Sequence, residues 1–279
     1  MKTASIIQAR TSSTRLPGKV LKSLPFNSDV TVLEQVVKRL KKSSKVDEIV
    51  IATTLDSDDD DIVKIAEKES VRWFRGSKED VLSRYYFAAK ESKADVVVRI
   101  TSDCPCIDKD IVDRCISVHN DKNLDYTTNC LERTFPHGLD VEVFNFSVLE
   151  EAYLKADKQY EREHVCPYIH TTNRGKFKLL NIYADDTERG EDIRITVDTE
   201  EDYALLCAVY DYLYAENEFF GVREIVMLFN NKPWLKIINS KILQKKVCVS
   251  FEDELEEAKK VLKLQELNNV LKRLEKIKL

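Results

Sequence analysis

The sequence predicts a three-layer α/β protein with a mostly parallel mixed sheet, followed by a helical C-terminal extension. Short, continuous apolar runs alternate with amphipathic segments of helical period, the pattern of strands buried on both faces by crossover helices. Near residue 221 that rhythm stops, and from residue 252 the chain becomes dense in Lys, Glu and Leu. At 279 residues the chain can bury one large core and carry an appendage. The expected division is therefore residues 1–220 and residues 221–279.

The elements follow in order. Residues 3–9 read as a buried strand, and residues 31–42 as a helix with Val32, Leu33, Val36, Val37 and Leu40 on one face. Residues 48–53 form the second strand; residues 58–69 form a helix whose acidic first turn suits its N-terminal dipole. A short strand at 71–74 precedes Gly76 and a helix from about 78 to 91, with Ser77 as the expected N-cap and Asp80 at its third position. Residues 95–100 make another strand and 111–119 another helix. Residues 139–144 alternate like a strand with one polar face, which suggests a local antiparallel excursion. A helix to about Ala156 follows, then a strand at 177–182, the end of a short strand at 196–198, and an apolar helix at 200–214. Thr199 and Asp202 form a capping-box start for that helix. The extension reads as a short helix at 222–229, a turn at 230–233 and a long helix at 252–276. Leu264, Leu267, Leu271 and Leu274 give the long helix one narrow stripe, for which docking on the main domain competes with homodimerisation.

Composition narrows the class. A hydrophobic fraction of 43% and a charged fraction of 33% belong to a globular chain, and a net charge of −5 argues against nucleic-acid binding. No apolar run is long enough for membrane insertion, and the opening residues lack the core of a secretory leader. Seven scattered cysteines without Cys-x-x-Cys spacing suggest reduced thiols in a cytoplasmic protein.

The most informative stretch runs from Ile6 to Leu21. Apolar residues end at Ala9, and a hydroxyl-rich loop with Arg10, Ser13, Arg15 and Lys19 follows, closed by Pro17-Gly18. The first acidic residue of the chain is Asp29, so this loop is cationic in an acidic protein. Hydroxyls, backbone N–H groups and fixed cations at a strand end are what a polyphosphate requires. Asp103 follows the strand at 95–100, where open α/β sheets hold ligands, and its carboxylate suits Mg²⁺; a turn aspartate before Pro105 is an equal local reading.

The segment Ala9-Arg10-x-x-Ser13-Thr14-Arg15-Leu16-Pro17-Gly18-Lys19 resembles the N-terminal signature of the cytidylyltransferases that activate sugars, such as CMP-KDO synthetase. Gln8, where that enzyme has proline, and the later motifs point to the spore-coat polysaccharide, SpsF-like branch. The resemblance covers roughly residues 3–215. It implies a nucleotide-diphospho-sugar transferase fold and Mg²⁺-dependent transfer of CMP from CTP to a sugar or sugar acid, with release of pyrophosphate, in surface polysaccharide synthesis. By the same resemblance Arg10, Lys19 and Asp103 are catalytic, and Ala9, Arg10, Ser13, Arg15, Lys19, Asp80 and Arg84 bind nucleotide. Asp103 and Asp198 hold the metal, and Arg133, Asp140, Glu142, Arg162 and His164 face the acceptor. Cys104 departs from the glutamate of the CMP-KDO synthetases.

Locally, the charged run 161–163 and the lone His164 read equally well as a solvated face. Other chemistries lack their motifs: there is no Gly-x₄-Gly-Lys-Ser/Thr loop, no Gly-x-Gly-x-x-Gly, no zinc-binding histidine pattern and no Gly-x-Ser-x-Gly elbow. Two alternatives are a glycosyltransferase of the same fold that consumes a nucleotide-sugar, and a non-catalytic partner in polysaccharide assembly. Ser102-Asp103-Cys104 in place of an Asp-x-Asp motif argues against the first, and the set Arg10, Lys19 and Asp103 against the second.

Overall fold

Strand β1 (Thr3–Gln8) is an interior strand of the sheet, paired on both edges and buried on both faces. It pairs in parallel with β2 (Glu48–Thr54) on one side and, further along the chain, with β4 (Val96–Thr101) on the other. The computed structural model describes residues 1–242 and 250–274, in two compact units, Met1–Ser240 and Lys241–Leu279.

In the first unit the chain runs from β1 through α1 (Val32–Leu40), β2, α2 (Asp60–Lys68), β3 (Arg72–Gly76) and α3 (Val81–Ser92) to β4. It continues through α4 (Lys109–Asp121), β5 (Tyr126–Thr128), β6 (Glu142–Asn145), α5 (Phe146–Lys155), α6 (Gln159–His164) and β7 (Leu179–Asn181). Helices α7 (Glu200–Leu213), α8 (Val222–Asn231) and α9 (Leu235–Ile238) complete the unit. The strand order is β3-β2-β1-β4-β6-β5-β7, and β6 runs antiparallel to both its neighbours. This is the mixed, mostly parallel sheet and the antiparallel excursion that the sequence leads one to expect.

Alternate residues of each strand feed two cores. Ile7, Ile51 and Val98 pack with α1, α4, α7 and α8, while Ile6, Val50 and Val97 pack with α3 and α5. The chain leaves β1 for β2 and later returns to β1's other edge with β4, so the two C-terminal strand ends bound a topological switch point.

Three local expectations change. Asp80, not Ser77, is the N-cap of α3: its Oδ1 accepts from Ser83 N at 2.9 Å, while Ser77 Oγ accepts from Asp80 N at 3.1 Å. Residues 193–197 are extended but form a single bridge, His137–Arg194, instead of a strand, because one flank is the loop at Gly138 and the other the turn at Asp103. In the second unit the expected long helix is two, α10 (Phe251–Leu264) and α11 (Asn268–Leu274). Leu267 N donates to Leu262 O, Glu266 N donates to Lys263 O, and Glu266 is left-handed at φ 55°, a helix stop of the kind usually made by glycine. The expected end of that helix at Lys276 lies outside the described residues. Among the described residues no helix is long and apolar enough to cross a membrane.

Candidate active site

The loop after β1 is built to present Lys19. Ala9 N still donates to Ala52 O at 3.1 Å, after which the chain turns on Thr11, whose carbonyl accepts from Ser13 N at 2.8 Å and Gly18 N at 2.9 Å. Thr11 is itself pinned by the buried Asp59 carboxylate, to which its N–H and hydroxyl donate at 2.7 and 2.8 Å. Thr54 Oγ1 donates to the same carboxylate. Leu16 and Val20 anchor the loop in the core. Gly18 at φ 65° turns the backbone into the short 3₁₀ segment Lys19–Leu21, a conformation that glycine adopts without strain.

Lys19 Nζ then lies 2.7 Å from Asp103 Oδ2 and 2.8 Å from Asp198 Oδ1. Asp103 comes from the turn after β4 and Asp198 from the segment before α7, and the two are joined by Val197 N donating to Asp103 O at 2.9 Å. Arg15 Nη2 is 3.1 Å from the same Asp198 Oδ1, and Arg194 Nη2 holds Asp198 Oδ2 at 2.8 Å. Burial alone would lower the Lys19 ammonium, but the two carboxylates outweigh it and hold its pKa above the ordinary lysine value. Burial likewise opposes ionisation of Asp198, yet Lys19, Arg15 and Arg194 push it down to about 2. Asp103 moves down with it, against burial, through Lys19. The centre is thus fully ionised at neutral pH.

Of the other residues singled out in the sequence, Ala9 is buried at the loop's root. Ser13 Oγ accepts from Leu16 N at 3.5 Å. Arg10 is exposed and has no hydrogen-bond or ion-pair partner among the described residues. Arg84 is buried under β2, with Nη1 donating to Ala52 O at 3.3 Å and Nε unpartnered; burial, with Arg10's charge adding to it, lowers its pKa. Arg162 and Asp80, read separately from the sequence as acceptor and nucleotide residues, pair with each other, and Arg162 Nη1 also donates to Tyr153 O at 2.7 Å. Arg133 grips Asp140 through two hydrogen bonds of 2.6 and 2.8 Å. Glu142 pairs with Arg99 and accepts from Tyr126 Oη at 2.6 Å. His164 ends α6 and is half-buried.

The sequence reading missed Arg194, Asn239 and the bracing role of Asp59. Only Asp59, in an acidic helix start, left a signal. The Cys104 thiol beside Asp103 is pushed well up, first by burial and then by Asp103, so it is no thiolate. A cavity of about 600 Å³ lined by Arg39, Asp108, Arg114, Glu188 and Arg223 contains none of these residues. In its wall Arg114 grips Glu188 at 2.6 and 2.9 Å, and Asp108 caps α4 while accepting from Val222 N at 2.8 Å.

A profile of the cytidylyltransferase family matches residues 4–277, so the family extends through the C-terminal helices and not only to about residue 215. The chain is 39% identical over 245 residues to an uncharacterized protein of Methanocaldococcus jannaschii, covering 88% of this chain and 97% of that one. It is 35% identical over 234 residues to the spore coat polysaccharide biosynthesis protein SpsF of Bacillus subtilis, covering 82% and 94%. A cytidylyltransferase structure from Leptospira borgpetersenii superposes with a TM-score of 0.79 at 36% identity, covering 88% of this chain and all 100% of that one. The chain belongs to the cytidylyltransferase family and is an enzyme of the nucleotidyltransferase class.

Proposed function

We propose that the protein transfers CMP from CTP to a hydroxyl of a sugar or sugar acid, releasing pyrophosphate, in the synthesis of a surface polysaccharide. The observation that carries this reading is Lys19 Nζ held between Asp103 and Asp198 beside the cationic loop at the β1/β4 switch point. The SpsF relative's name supports the polysaccharide setting.

Among the described residues no cluster of three or more His, Cys, Asp or Glu could hold a metal alone. Two carboxylates converging on one point nevertheless fit Mg²⁺, which keeps most of its shell as water and substrate phosphate and takes one or two carboxylates from the protein. Asp103 and Asp198 would hold it, and bound there it supplies Lewis-acid charge and a template for the α-phosphate.

The remaining chemistry belongs to side chains. The acceptor oxygen attacks the α-phosphorus in line and pyrophosphate leaves, with no covalent protein intermediate. Lys19, released from its two carboxylates, swings to the triphosphate together with Arg15 and the unpartnered Arg10, where they take up charge developing on the leaving oxygens. Arg133, Asp140 and Glu142 are proposed to line the acceptor side.

Thermal-shift titrations with CTP, UTP, GTP, ATP and nucleotide-sugars, with and without Mg²⁺, test this reading. Mg²⁺-dependent stabilisation by CTP, lost in Asp103→Ala, is expected and leads to an acceptor screen by pyrophosphate release. A response to nucleotide-sugars alone would instead make the protein a glycosyltransferase.

A further inference from the structure

We propose that Arg194 is a positioning residue that saturates one oxygen of Asp198, is locked by Asp202 and Asn239, and thereby fits the centre to Mg²⁺ in preference to Ca²⁺. The inference rests on the assignment of Asp198 as a metal carboxylate.

The two oxygens of Asp198 have different partners. Oδ1 faces Lys19 at 2.8 Å and Arg15 at 3.1 Å, while Oδ2 is taken by Arg194 Nη2 at 2.8 Å. Arg194 has little freedom to leave. Its Nε donates to Asp202 Oδ1 at 2.9 Å, its Nη2 to Asp202 Oδ2 at 3.0 Å, and its Nη1 lies 3.3 Å from His137 Nδ1.

Asp202 does more than cap α7. Its fully buried carboxylate also accepts from Asp198 N at 3.1 Å, Thr199 N at 3.2 Å and Asn239 Nδ2 at 2.9 Å. Asn239 in turn donates to Arg194 O at 3.1 Å. A capping box needs only Thr199 and Asp202. The added arginine and asparagine tie the backbone and the side chain of Asp198 to one buried anion.

The chemical consequence is a carboxylate that offers one oxygen. Mg²⁺ is small, octahedral and satisfied by few protein oxygens, whereas Ca²⁺ takes more ligands and accepts bidentate carboxylates. Freeing Oδ2 removes the geometric bias against the larger ion.

The test measures the Kd of the full-length protein for CTP by calorimetry, without acceptor, in excess MgCl₂ and again in excess CaCl₂. In Arg194→Gln the affinity for CTP in Mg²⁺ is expected to fall about 10- to 100-fold, the usual effect of losing a group that orients a metal ligand, while the affinity in Ca²⁺ holds. Asp202→Asn keeps an oxygen for the cap but loses the charge that grips Arg194, and should shift the ratio the same way by a smaller factor. Equal losses in both salts would mean that Arg194 acts through charge or folding alone and would overturn the proposal. So would an unchanged affinity in both. If Asp198→Asn binds CTP in Mg²⁺ as the wild type does, the metal assignment itself fails and takes this proposal with it; impaired Asp198→Asn with an unchanged Arg194→Gln ratio removes the positioning role only.

Discussion

Lys19 and Asp103 lie 84 residues apart in sequence and 2.7 Å apart in space. The same ammonium reaches Asp198, so one side chain ties the loop after β1 to the ends of two other segments. With Arg15, Arg194 and Asp202 counted, three cations face three carboxylates, and the centre is close to neutral before any substrate arrives. A divalent cation alone would unbalance it, and a triphosphate alone would unbalance it the other way. If Asp103 and Asp198 hold Mg²⁺ as proposed, they would take it up together with the nucleotide, Lys19 leaving these carboxylates for the phosphates.

Two effects of Lys19→Met follow, with opposite signs. Turnover, read by pyrophosphate release, should fall by roughly 10²- to 10³-fold, the usual cost of removing one charge-stabilising group. Binding of Mg²⁺ without nucleotide should become measurable by calorimetry, because the internal cation no longer occupies the carboxylates. Wild-type protein that binds Mg²⁺ alone as tightly as the variant would refute the exchange.

The depressed pKa of Asp198 predicts acid sensitivity. In the folded protein it titrates at about 2 instead of the ordinary 3.8, so its ionisation stabilises the fold above pH 4 and that contribution is lost as pH falls toward 2. The contribution is on the order of 2 kcal/mol. Urea unfolding without ligand, repeated between pH 7 and pH 2, should give Asp198→Asn a shallower loss of stability below pH 4 than the wild type. Parallel curves would show that the ion pairs with Lys19, Arg15 and Arg194 contribute nothing.

The legible parts of this protein are those whose physics is local. An apolar run that stops at Ala9 before a cationic, Pro-Gly-closed loop announces a strand end, and points to the proposed anion site, without reference to the rest of the chain. Asp103 and Asp198 stand at a strand end and just before a helix, positions that sequence pattern marks. Arg194 carries no such mark, because its meaning depends on Asp202 and on Asn239, 45 residues downstream. Arg162 and Asp80 each look like a ligand-facing charge until the fold places them together. The break in the C-terminal helix is silent in sequence for a related reason: at Glu266 it uses a left-handed non-glycine residue, so neither Gly nor Pro announces it.

Gly138 connects backbone packing to the centre. It sits at φ 113°, and a Cβ there would come within 2.6 Å of Ile195 O and 2.7 Å of its carbonyl carbon, three residues before Asp198. Gly138→Ala must therefore strain its own backbone or push the 193–197 segment away. Stability should fall by more than about 1 kcal/mol, the gain or loss expected where conformation alone is at issue. CTP-dependent stabilisation in Mg²⁺ should weaken as well, because the segment leads directly into Asp198. A variant with lowered stability but unchanged CTP response would separate the two effects and refute the link.

Arg162 and Asp80 provide a test of structure against recognition. Asp80 caps α3 through Ser83 N at 2.9 Å and also holds the Arg162 guanidinium, which bonds Tyr153 O at 2.7 Å and stacks over the Tyr153 ring. This geometry joins α3 to α6 and the end of α5, a structural task for both residues. Asp80→Ala should lose about 1 kcal/mol for the cap, with a further loss from the stranded Arg162. Asp80→Asn retains a capping oxygen and should lose mainly the ion pair. A double-mutant cycle between Asp80→Asn and Arg162→Gln, followed by urea unfolding, should give a coupling of at least about 0.5 kcal/mol, as contacting residues do. Neither change should alter the Kd for CTP by more than the shift in folding accounts for. A large loss of CTP affinity in a well-folded Asp80→Asn would return that carboxylate to the nucleotide site, because the cap and the stability would then be intact while recognition alone had failed.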